Sequence, residues 1–474
     1  MNSIHNNDVT CYSVAPWISW REYEISKLKK ILIYDQKSHV YYLLQGSAII
    51  TWRTFIDGSQ NKYISLSPLK QLIDDGIIIS HSKYNDINSV GNTDAVVKYN
   101  NIPDFFLDDL KKEGYFFDAH WDITNKCNER CIHCYNNNAH NRLRNNSTNE
   151  LSFEEAKELV DDLCFLGVFR LVISGGEVLT IDFFLPLCKY IRQCNIQLII
   201  YTNGLAFTKS LLSELSQIYP STICFSIYGD TDAVHDSVTR VNGSYKRSLS
   251  AMKYLKEHGI EVHHKNTLLK INFSCWRNTL TNGRKLANRS LLNCTIYPSM
   301  DSKKLSEYSL DESQLLEMAL TEESPIYYGR TIRGACNIFK DKSETPCYNT
   351  TNNLYVNPKG EVCLCIAFPC IIASLHEGNI RKLKRRQTPI PFKIDFTILS
   401  GVERLDNWRA LKISDLIECG CYDYCKFCID VCPGDAFLLT GNLLSAPENH
   451  CAIAKARFKA YQIMSKKNDH SVFN

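Results

Sequence analysis

Strand-like and helix-like segments alternate from about residue 115 to residue 320, and this alternation restricts the fold more than any other feature of the sequence. The strand-like segments run from FFDAHWDIT through FRLVISGGE, IQLIIYTNG, STICFSIYG and EVHHKNTLL to CTIYPSM, with helix-like stretches between them. Six such units predict an α/β fold with a parallel sheet that is either open or partly closed as a barrel. In such a fold, functional side chains gather at the carboxyl ends of the strands.

Unusual residues follow the first two of these strands. Directly after the first come Cys127, Cys131 and Cys134 in the spacing C-x3-C-x2-C, and the turn SGGE (174–177) ends the second. A tetrahedral zinc site or a [4Fe–4S] cluster takes four ligands, so three thiolates leave one metal position open. A small molecule with an amino and a carboxylate group could chelate the metal there. Glycines allow the backbone to approach such a ligand closely, and Glu177 offers an acceptor to an ammonium.

The combination of CNERCIHC with SGGE after the next strand resembles the radical S-adenosylmethionine (SAM) superfamily. The resemblance implies a partial (β/α)6 barrel in which the three cysteines hold a [4Fe–4S] cluster and the open iron binds the amino and carboxylate groups of SAM. It also implies reductive cleavage of SAM to a 5′-deoxyadenosyl radical that abstracts hydrogen from a substrate. The cofactor-binding positions that it implies are Tyr135, Ser174, Gly175, Gly176, Glu177, Thr202, Asn203, Ser226 and Arg240.

Several of these residues are also compatible with roles outside SAM binding. A zinc site could take a fourth ligand such as His133 or His140. Thr202 and Ser226 could be ordinary strand-end residues, and Arg240 could form a surface ion pair. Four further cysteines lie at apolar periodic positions and are predicted to be core residues: Cys164, Cys188, Cys194 and Cys224.

Cysteine is concentrated near the C-terminus. The chain has 21 cysteines, and 11 of them lie between Cys336 and Cys451. In a reducing compartment such crowding indicates metal or cluster ligands more often than disulfides. The spacing C-x12-G-x4-C from Cys347 to Cys365, followed by CGCYDYCKFCIDVC, resembles the SPASM domain of peptide-modifying radical SAM enzymes.

The SPASM resemblance implies two auxiliary [4Fe–4S] clusters. The first would be held by Cys347, Cys365 and Cys432, with Cys336 as a further candidate. The second would be held by Cys428 and Cys451 together with two of the three residues Cys419, Cys421 and Cys425, and the sequence leaves that choice open. A zinc ribbon is the alternative, although so many thiols exceed what one zinc ion binds.

Residues 1–100 differ from the rest of the chain. Two β-like runs, KKILIYD and HVYYLLQ, precede two helix-like segments, GSAIITWRTFID and LSPLKQLIDDGIII, and a polar stretch at about 85–104 is predicted to be a linker. This order resembles the small winged-helix-like (PqqD-like) recognition element of enzymes that modify ribosomally made peptides (RiPPs). The resemblance implies that the leader of a precursor peptide binds here as an added edge strand. A cap on the barrel is the alternative.

Composition limits the partners and the location. The net charge is +3 over 474 residues, which gives no reason to expect nucleic acid or an anionic membrane as a partner. The segment MNSIHNNDVT lacks the features of a secretory signal and no apolar run reaches the length of a membrane span, so a cytoplasmic location is predicted. The predicted domains are 1–100 (recognition element plus linker), 115–325 (radical SAM core) and 335–460 (SPASM domain).

Together these resemblances predict a RiPP maturase that takes hydrogen from a precursor peptide and forms a carbon–carbon or ether cross-link on an aromatic side chain, as darobactin-type and other cyclophane enzymes do. A flavodoxin or ferredoxin would supply the electron. Thioether-forming (sactionine-type) maturases and sulfatase-maturase-like protein oxidases share the same parts, and a non-catalytic iron–sulfur or zinc scaffold is the alternative outside catalysis. No general base is assigned, although Asp122 and Tyr297 lie near strand ends.

Overall fold

A computed structural model describes residues 12–57, 67–80, 96–136, 149–296, 305–329, 345–347, 352–428 and 431–471. The strands in these residues are β1 (Tyr12–Val14), β2 (Ile18–Ile25), β3 (Leu28–Asp35), β4 (Val40–Leu44), β5 (Ile78–Ser80), β6 (Val96–Tyr99), β7 (Asp118–Thr124), β8 (Arg170–Gly175), β9 (Gln197–Thr202), β10 (Thr222–Ser226), β11 (Val262–Thr267), β12 (Arg289–Asn293), β13 (Asn353–Val356), β14 (Glu361–Cys363) and β15 (Ile371–Ser374). The helices are α1 (Ser47–Ile56), α2 (Lys70–Asp74), α3 (Asp104–Lys112), α4 (Phe153–Phe165), α5 (Phe184–Gln193), α6 (Lys209–Ile218), α7 (Asp232–Thr239), α8 (Ser244–Glu257), α9 (Trp276–Leu286), α10 (Leu305–Tyr308), α11 (Glu312–Leu320), α12 (Gly401–Ala410), α13 (Pro433–Thr440) and α14 (Glu448–Ser471).

The central sheet has the strand order β12-β11-β10-β9-β8-β7-β13-β14-β15. Strands β7 to β12 are parallel neighbours in sequence order, joined by helical crossovers as parallel strands require. The α/β fold and the parallel sheet expected for the middle of the chain are therefore confirmed. β13 continues the sheet in parallel with β7, and β14 and β15 follow antiparallel.

Alternation of side chains divides this sheet into two faces. Ala119, Trp121 and Ile123 of β7 lie in the main hydrophobic core, which includes the buried sides of α4 and α5. His120 and Asp122 alternate with them and point to the opposite side, called the inner face below. The sheet thus keeps a polar set of side chains away from its apolar core.

The sixth parallel strand lies at Arg289–Asn293, whereas the sequence pattern places it at CTIYPSM. Helix α9 ends at Leu286, and the extended conformation of Ala287 leads the chain into β12. The segment TNGRKLANRSLLN was predicted to be helical throughout, but its last residues form a strand. A short apolar run fits the helical and the strand periodicity equally well, so the pattern could not show where the helix ends. Residues 297–300 of CTIYPSM, including Tyr297, lie outside the described residues.

Strands β2, β3, β4 and β6 form a separate four-stranded antiparallel sheet, the N-terminal sheet. One of its faces packs against α1 and α2 through Trp52 and Leu72. The other face packs against α3 and against Phe117 and Phe169, which immediately precede β7 and β8. The N-terminal sheet therefore covers the amino ends of the parallel strands, as the alternative of a cap on the barrel requires.

Polar contacts join the N-terminal sheet to the main body. Arg21 donates to the carbonyl oxygen of Cys164 at 3.0 Å, and the Tyr23 hydroxyl donates to the carbonyl oxygen of Gly167 at 2.9 Å. From the other side, Arg192 donates to the carbonyl oxygen of Ile18 at 3.0 Å. Buried hydrogen bonds to backbone carbonyls fix the orientation of the two parts, because each unpaired group would carry a desolvation cost.

Two N-terminal predictions need correction. The helix expected over LSPLKQLIDDGIII is limited to α2, and residues 78–80 form a strand that pairs with β1. The linker expected at about 85–104 contains β6, whose residues VVKY pair with β4. The pairing with β4 stabilises this short strand, although the residues around it are polar and predicted a linker. Among the described residues, no helix is both long and apolar enough to cross a membrane.

Candidate functional site

The three motif cysteines lie in a loop that follows β7 and is fixed against helix α7. The backbone N–H of Arg130 donates to the carbonyl oxygen of Thr239 at 2.9 Å, and that of Ile132 donates to Val238 at 3.0 Å. The N–H of Cys134 donates to the carbonyl oxygen of Cys131 at 3.2 Å, which closes the loop. Backbone pairing thus holds the thiols at the carboxyl end of the sheet.

The three motif thiols are largely buried. Burial raises the pKa of Cys127 to about 12 and also raises the pKa of Cys131 and of Cys134. A thiol with such a pKa becomes a thiolate near neutral pH only when a metal or another cation stabilises the charge. Three cysteine sulfurs are nevertheless the donor type that a [4Fe–4S] cluster takes, so the residues fit such a cluster by their chemistry.

The SGGE turn packs directly on the backbone of this loop. A Cβ atom on Gly176 would lie 2.0 Å from the carbonyl oxygen of Lys126, and one on Gly175, whose φ is +124°, would lie 2.3 Å from that of Thr124. The backbone N–H of Glu177 donates to the Lys126 carbonyl at 2.7 Å. Only glycine allows this approach, which explains the two glycines at this point.

Glu177 joins the turn to the end of β9. Its carboxylate accepts hydrogen bonds from the Thr202 hydroxyl at 2.6 Å and from the backbone N–H of Asn203 at 2.7 Å. Burial raises the pKa of Glu177 to about 7, against the effect of these hydrogen bonds. The amide of Asn203 in turn donates to Asn128 in the cysteine loop at 2.7 Å. The three motifs thus form one bonded unit, and contact between Glu177 and an ammonium stays a prediction.

The remaining predicted cofactor residues surround this unit. The Tyr135 hydroxyl lies 3.4 Å from the carbonyl oxygen of Gly175, and Ser174 is the last inner-face residue of β8. Ser226 ends β10 opposite Lys265 of β11. Arg240 follows α7 in a left-handed conformation and is exposed, one residue after the Thr239 carbonyl that holds the cysteine loop.

Sequence reasoning missed a buried carboxylate in the cysteine loop. Glu129 is 3% exposed, and its Oε2 atom accepts from the Cys131 thiol at 3.4 Å. Burial raises the pKa of Glu129 to about 8. His133, the alternative zinc ligand, packs edge-on against Tyr228 with ring centroids 4.7 Å apart, and burial lowers its pKa to about 4. His140 lies outside the described residues.

The C-terminal cysteines separate into two groups. Four of them line one cavity of about 280 Å³ between the segment 418–428 and the start of α14: Cys419, Cys425, Cys428 and Cys451. Cys421 is exposed and does not line this cavity. The sequence left open which two of Cys419, Cys421 and Cys425 would be ligands. Cys419 and Cys425 line the cavity, and their position favours these two as the ligands.

The second group lies around the start of α13. Cys432 caps this helix and accepts a hydrogen bond from the N–H of Asp435 at 3.4 Å. A Cβ atom on Gly434 would lie 3.4 Å from the sulfur of Cys365. Burial is the main cause that raises the pKa of Cys365 to about 12, and the nearby charges of Cys347 and Asp435 raise this pKa further. Cys336 lies outside the described residues.

The prediction of buried core positions for four further cysteines is only partly met, because Cys164 and Cys194 are partly exposed and Arg21 donates to the Cys164 sulfur at 3.4 Å. Cys188 lies in the main core, and Cys164 and Cys194 pack against it. Cys224 is also buried. Among the described residues, no three His, Cys, Asp or Glu side chains lie close enough together to hold a single metal ion.

Comparison with known proteins agrees with this geometry. Residues 121–280 match the model of the Radical SAM superfamily. An AdoMet-dependent heme synthase from Methanosarcina barkeri is 24% identical over 359 residues, which cover 70% of this chain and 95% of that protein. The antilisterial bacteriocin subtilosin biosynthesis protein AlbA from Bacillus subtilis is 30% identical over 146 residues, which cover 30% of this chain and 31% of that protein.

A solved structure supports the fold. The structure of native anSMEcpe with bound AdoMet superimposes with a TM-score of 0.53 at 15% identity, over 75% of this chain and 100% of that one. This similarity shows the fold alone, and it agrees with the parallel sheet described above. Residues 121–280 thus match the Radical SAM superfamily in sequence, and the chain is an enzyme.

Proposed function

We propose that this enzyme is a peptide maturase in which Cys127, Cys131 and Cys134 hold a [4Fe–4S] cluster and SAM binds at the open iron. The observation that carries the proposal is the hydrogen-bonded unit of cysteine loop, SGGE turn and β9 end, because it joins three thiols to a turn shaped for close backbone approach. When bound, the cluster and SAM together supply the 5′-deoxyadenosyl radical that takes a hydrogen atom from the substrate.

The residues of the unit have separate tasks in this proposal. By resemblance to the superfamily, Glu177 would lie near the methionine amino group of SAM while its hydrogen bonds hold the turn to Thr202 and Asn203. Tyr135 would lie near the adenine, Ser226 would contact SAM at the end of β10, and Arg240 would face the methionine carboxylate. These assignments follow the match to the superfamily's motif, residue by residue.

The C-terminal domain is proposed to hold two further [4Fe–4S] clusters, as SPASM domains do. Cys419, Cys425, Cys428 and Cys451 hold one of them, because all four line a single cavity. Cys347, Cys365 and Cys432 hold the other, with Cys336 as the fourth candidate. These centres would accept the electron released when the peptide is oxidised, and a flavodoxin or ferredoxin would supply the electron that starts the reaction.

A precursor peptide is the favoured substrate, and a carbon–carbon or ether cross-link on an aromatic residue is the favoured product. Two observations support a peptide: the similarity to the subtilosin biosynthesis protein AlbA and the presence of the N-terminal sheet. A tetrapyrrole is the second candidate, because the heme synthase of M. barkeri matches this chain over 95% of its own length.

One experiment separates the two candidates. The enzyme is reconstituted anaerobically and given SAM and dithionite with either the short peptides encoded beside its gene or an iron porphyrin precursor of heme. We expect one peptide to lose the mass of two hydrogen atoms while 5′-deoxyadenosine forms, as followed by mass spectrometry. Conversion of the porphyrin with unchanged peptides would contradict the proposal and favour the second candidate.

The leader of the precursor is proposed to bind at the N-terminal sheet. A groove of about 630 Å³ lies between Ile18, Trp20 and Ile56 on one side and the carboxyl ends of α5 and α6 on the other. β2 is an edge strand of the sheet and borders this groove. An extended peptide in the groove would pair with the first half of β2, which contributes Ile18 and Trp20 to the lining, a common form of peptide recognition.

A charge placed in this groove should weaken leader binding. We expect Ile56→Asp to raise the dissociation constant of the leader at least about tenfold, or about 1.4 kcal/mol, because Ile56 belongs to the apolar part of the groove lining and a carboxylate there would lose its hydration when the peptide covers it. Fluorescence anisotropy of a labelled leader measures the change. Ile50→Asp is the matched control, since Ile50 lies on the same helix, is 69% exposed and does not line the groove. Equal affinities of the two variants would place the leader elsewhere.

A further inference from the structure

The inner face carries a group of polar side chains that the proposed function has not used. The carboxylate of Asp122 is 3% exposed. Its Oδ1 atom is bonded to Nε2 of His120 at 3.2 Å, and its Oδ2 atom accepts from the Tyr355 hydroxyl at 2.8 Å. The Tyr135 hydroxyl lies 3.4 Å from both oxygens. Asp122 is therefore fixed by partners from three different segments.

His120 is the member of this group that a substrate could reach. Its side chain is 28% exposed, whereas that of Asp122 is 4% exposed. Its ring lies between those of Tyr201 and Tyr355, with centroids 5.9 and 6.0 Å away. Because the carboxylate accepts the proton on Nε2, the lone pair of the imidazole is on Nδ1. A histidine oriented by a buried carboxylate is the usual form of a general base.

The same group lies close to the proposed SAM site. The Tyr135 hydroxyl is 3.4 Å from Asp122 and also 3.4 Å from the carbonyl oxygen of Gly175 in the SGGE turn. One aromatic side chain thus separates the carboxylate from the turn. A substrate carbon placed for hydrogen abstraction beside this turn would be near the inner face on which His120 is exposed.

Other titratable groups on this face are already engaged. The Lys265 ammonium donates to the Tyr201 hydroxyl and lies 3.7 Å from the centre of that ring. His263, two residues before Lys265 on the same side of β11, pairs with Glu261 at 3.0 Å near the amino end of that strand. Glu177 is 1% exposed and bonded to the end of β9. None of these is arranged to accept a proton from a bound peptide, so among the described residues His120 is the candidate.

We propose that His120 is the proton acceptor of the peptide oxidation and that Asp122 is the residue that positions it. The inference rests on the proposed peptide maturase. The substrate C–H bond loses a hydrogen atom to the adenosyl carbon, and the resulting carbon radical bonds to an aromatic ring of the peptide. The ring's displaced hydrogen leaves as a proton, taken by Nδ1 of His120, and as an electron, taken by an oxidised [4Fe–4S] centre of the C-terminal domain. The peptide loses two hydrogens in total.

The first test compares SAM cleavage with peptide modification. In His120→Gln we expect 5′-deoxyadenosine formation without peptide to stay within about twofold of wild type, while cross-linked product per 5′-deoxyadenosine falls at least about a hundredfold, the usual contribution of a general base. The control is His263→Gln, because His263 also pairs with a carboxylate, that of Glu261, at 3.0 Å near the amino end of β11. That variant should resemble wild type in both measurements.

The second test needs no substrate. Diethyl pyrocarbonate modifies accessible imidazoles, and mass spectrometry follows each histidine of the reconstituted holoenzyme separately. We expect Asp122→Asn to slow modification of His120 at least about threefold, since the carboxylate sets the tautomer and basicity of the ring. His263 serves as the internal reference and should react at an unchanged rate. Asp122→Glu should restore part of the His120 rate.

The outcomes distinguish this inference from the proposed function. Wild-type product ratios in His120→Gln, or an unchanged His120 modification rate in Asp122→Asn, would overturn the assignment. Loss of SAM cleavage in His120→Gln would also overturn it, because His120 would then belong to the SAM site. If the wild-type enzyme itself modifies no peptide, the proposed function fails and the inference fails with it.

Discussion

Replacement of Cys131 by alanine is expected to abolish reductive cleavage of SAM, with a loss of at least about a thousandfold in 5′-deoxyadenosine formation, because the cofactor supplies the reactive chemistry. The expected iron content falls by about four per chain, from about twelve to about eight, since the clusters proposed for the C-terminal domain would not depend on this residue. Iron and sulfide analysis after anaerobic reconstitution measures the second effect, and product analysis the first.

The control for this result is Cys188→Ala, which removes a thiol from the main core and not from a site. It should destabilise the protein by about 1 kcal/mol through lost packing and leave the iron content unchanged. If Cys131→Ala kept its full iron content or still cleaved SAM, the central claim about the cysteine loop would be wrong.

Replacement of Cys425 by serine is expected to remove a C-terminal cluster while the SAM site remains loaded. Cys425 is buried, and it lines the 280 Å³ cavity together with the other three thiols of its group. We expect about four iron fewer per chain and a loss of peptide cross-linking, whereas SAM cleavage without peptide continues. Iron analysis and low-temperature electron paramagnetic resonance spectroscopy together identify which cluster is missing.

Cys421→Ser is the matched control, because Cys421 lies in the same short segment but is exposed. Its iron content and activity should equal those of wild type. The reverse result, with iron lost in Cys421→Ser and kept in Cys425→Ser, would require a different set of ligands.

The cysteine loop and the SGGE turn could be predicted from the sequence because each motif is short and follows a strongly patterned strand. The backbone bonds from Arg130 and Ile132 to helix α7, which join parts of the chain that are distant in sequence, were not part of that prediction. The parallel strands β7 to β11 were predictable for the same reason as the motifs, since each unit carries its own periodicity, whereas β12 was predicted at the wrong segment.

Long-range contacts explain what could not be predicted. Asp122 meets Tyr355, which lies 233 residues further along the chain, and no local pattern connects them. β6 depends on its pairing with β4, and the choice of Cys425 depends on the 3-10 turn at Asp423–Phe427 that directs its side chain inward. Tertiary packing determines these three features, and the intrinsic secondary-structure propensity of the residues has little influence on them.

The position of the N-terminal sheet has a consequence for the design of any precursor peptide. The sheet and its groove lie at the amino ends of the parallel strands, whereas the cysteine loop lies at their carboxyl ends. β7 has seven residues and spans about 23 Å at about 3.3 Å per residue. If the leader binds in this groove as proposed, the peptide must cover that length before its modified residue reaches the SGGE turn. The proposed precursor would therefore need a spacer of at least about seven extended residues between its leader anchor and its first cross-linked side chain.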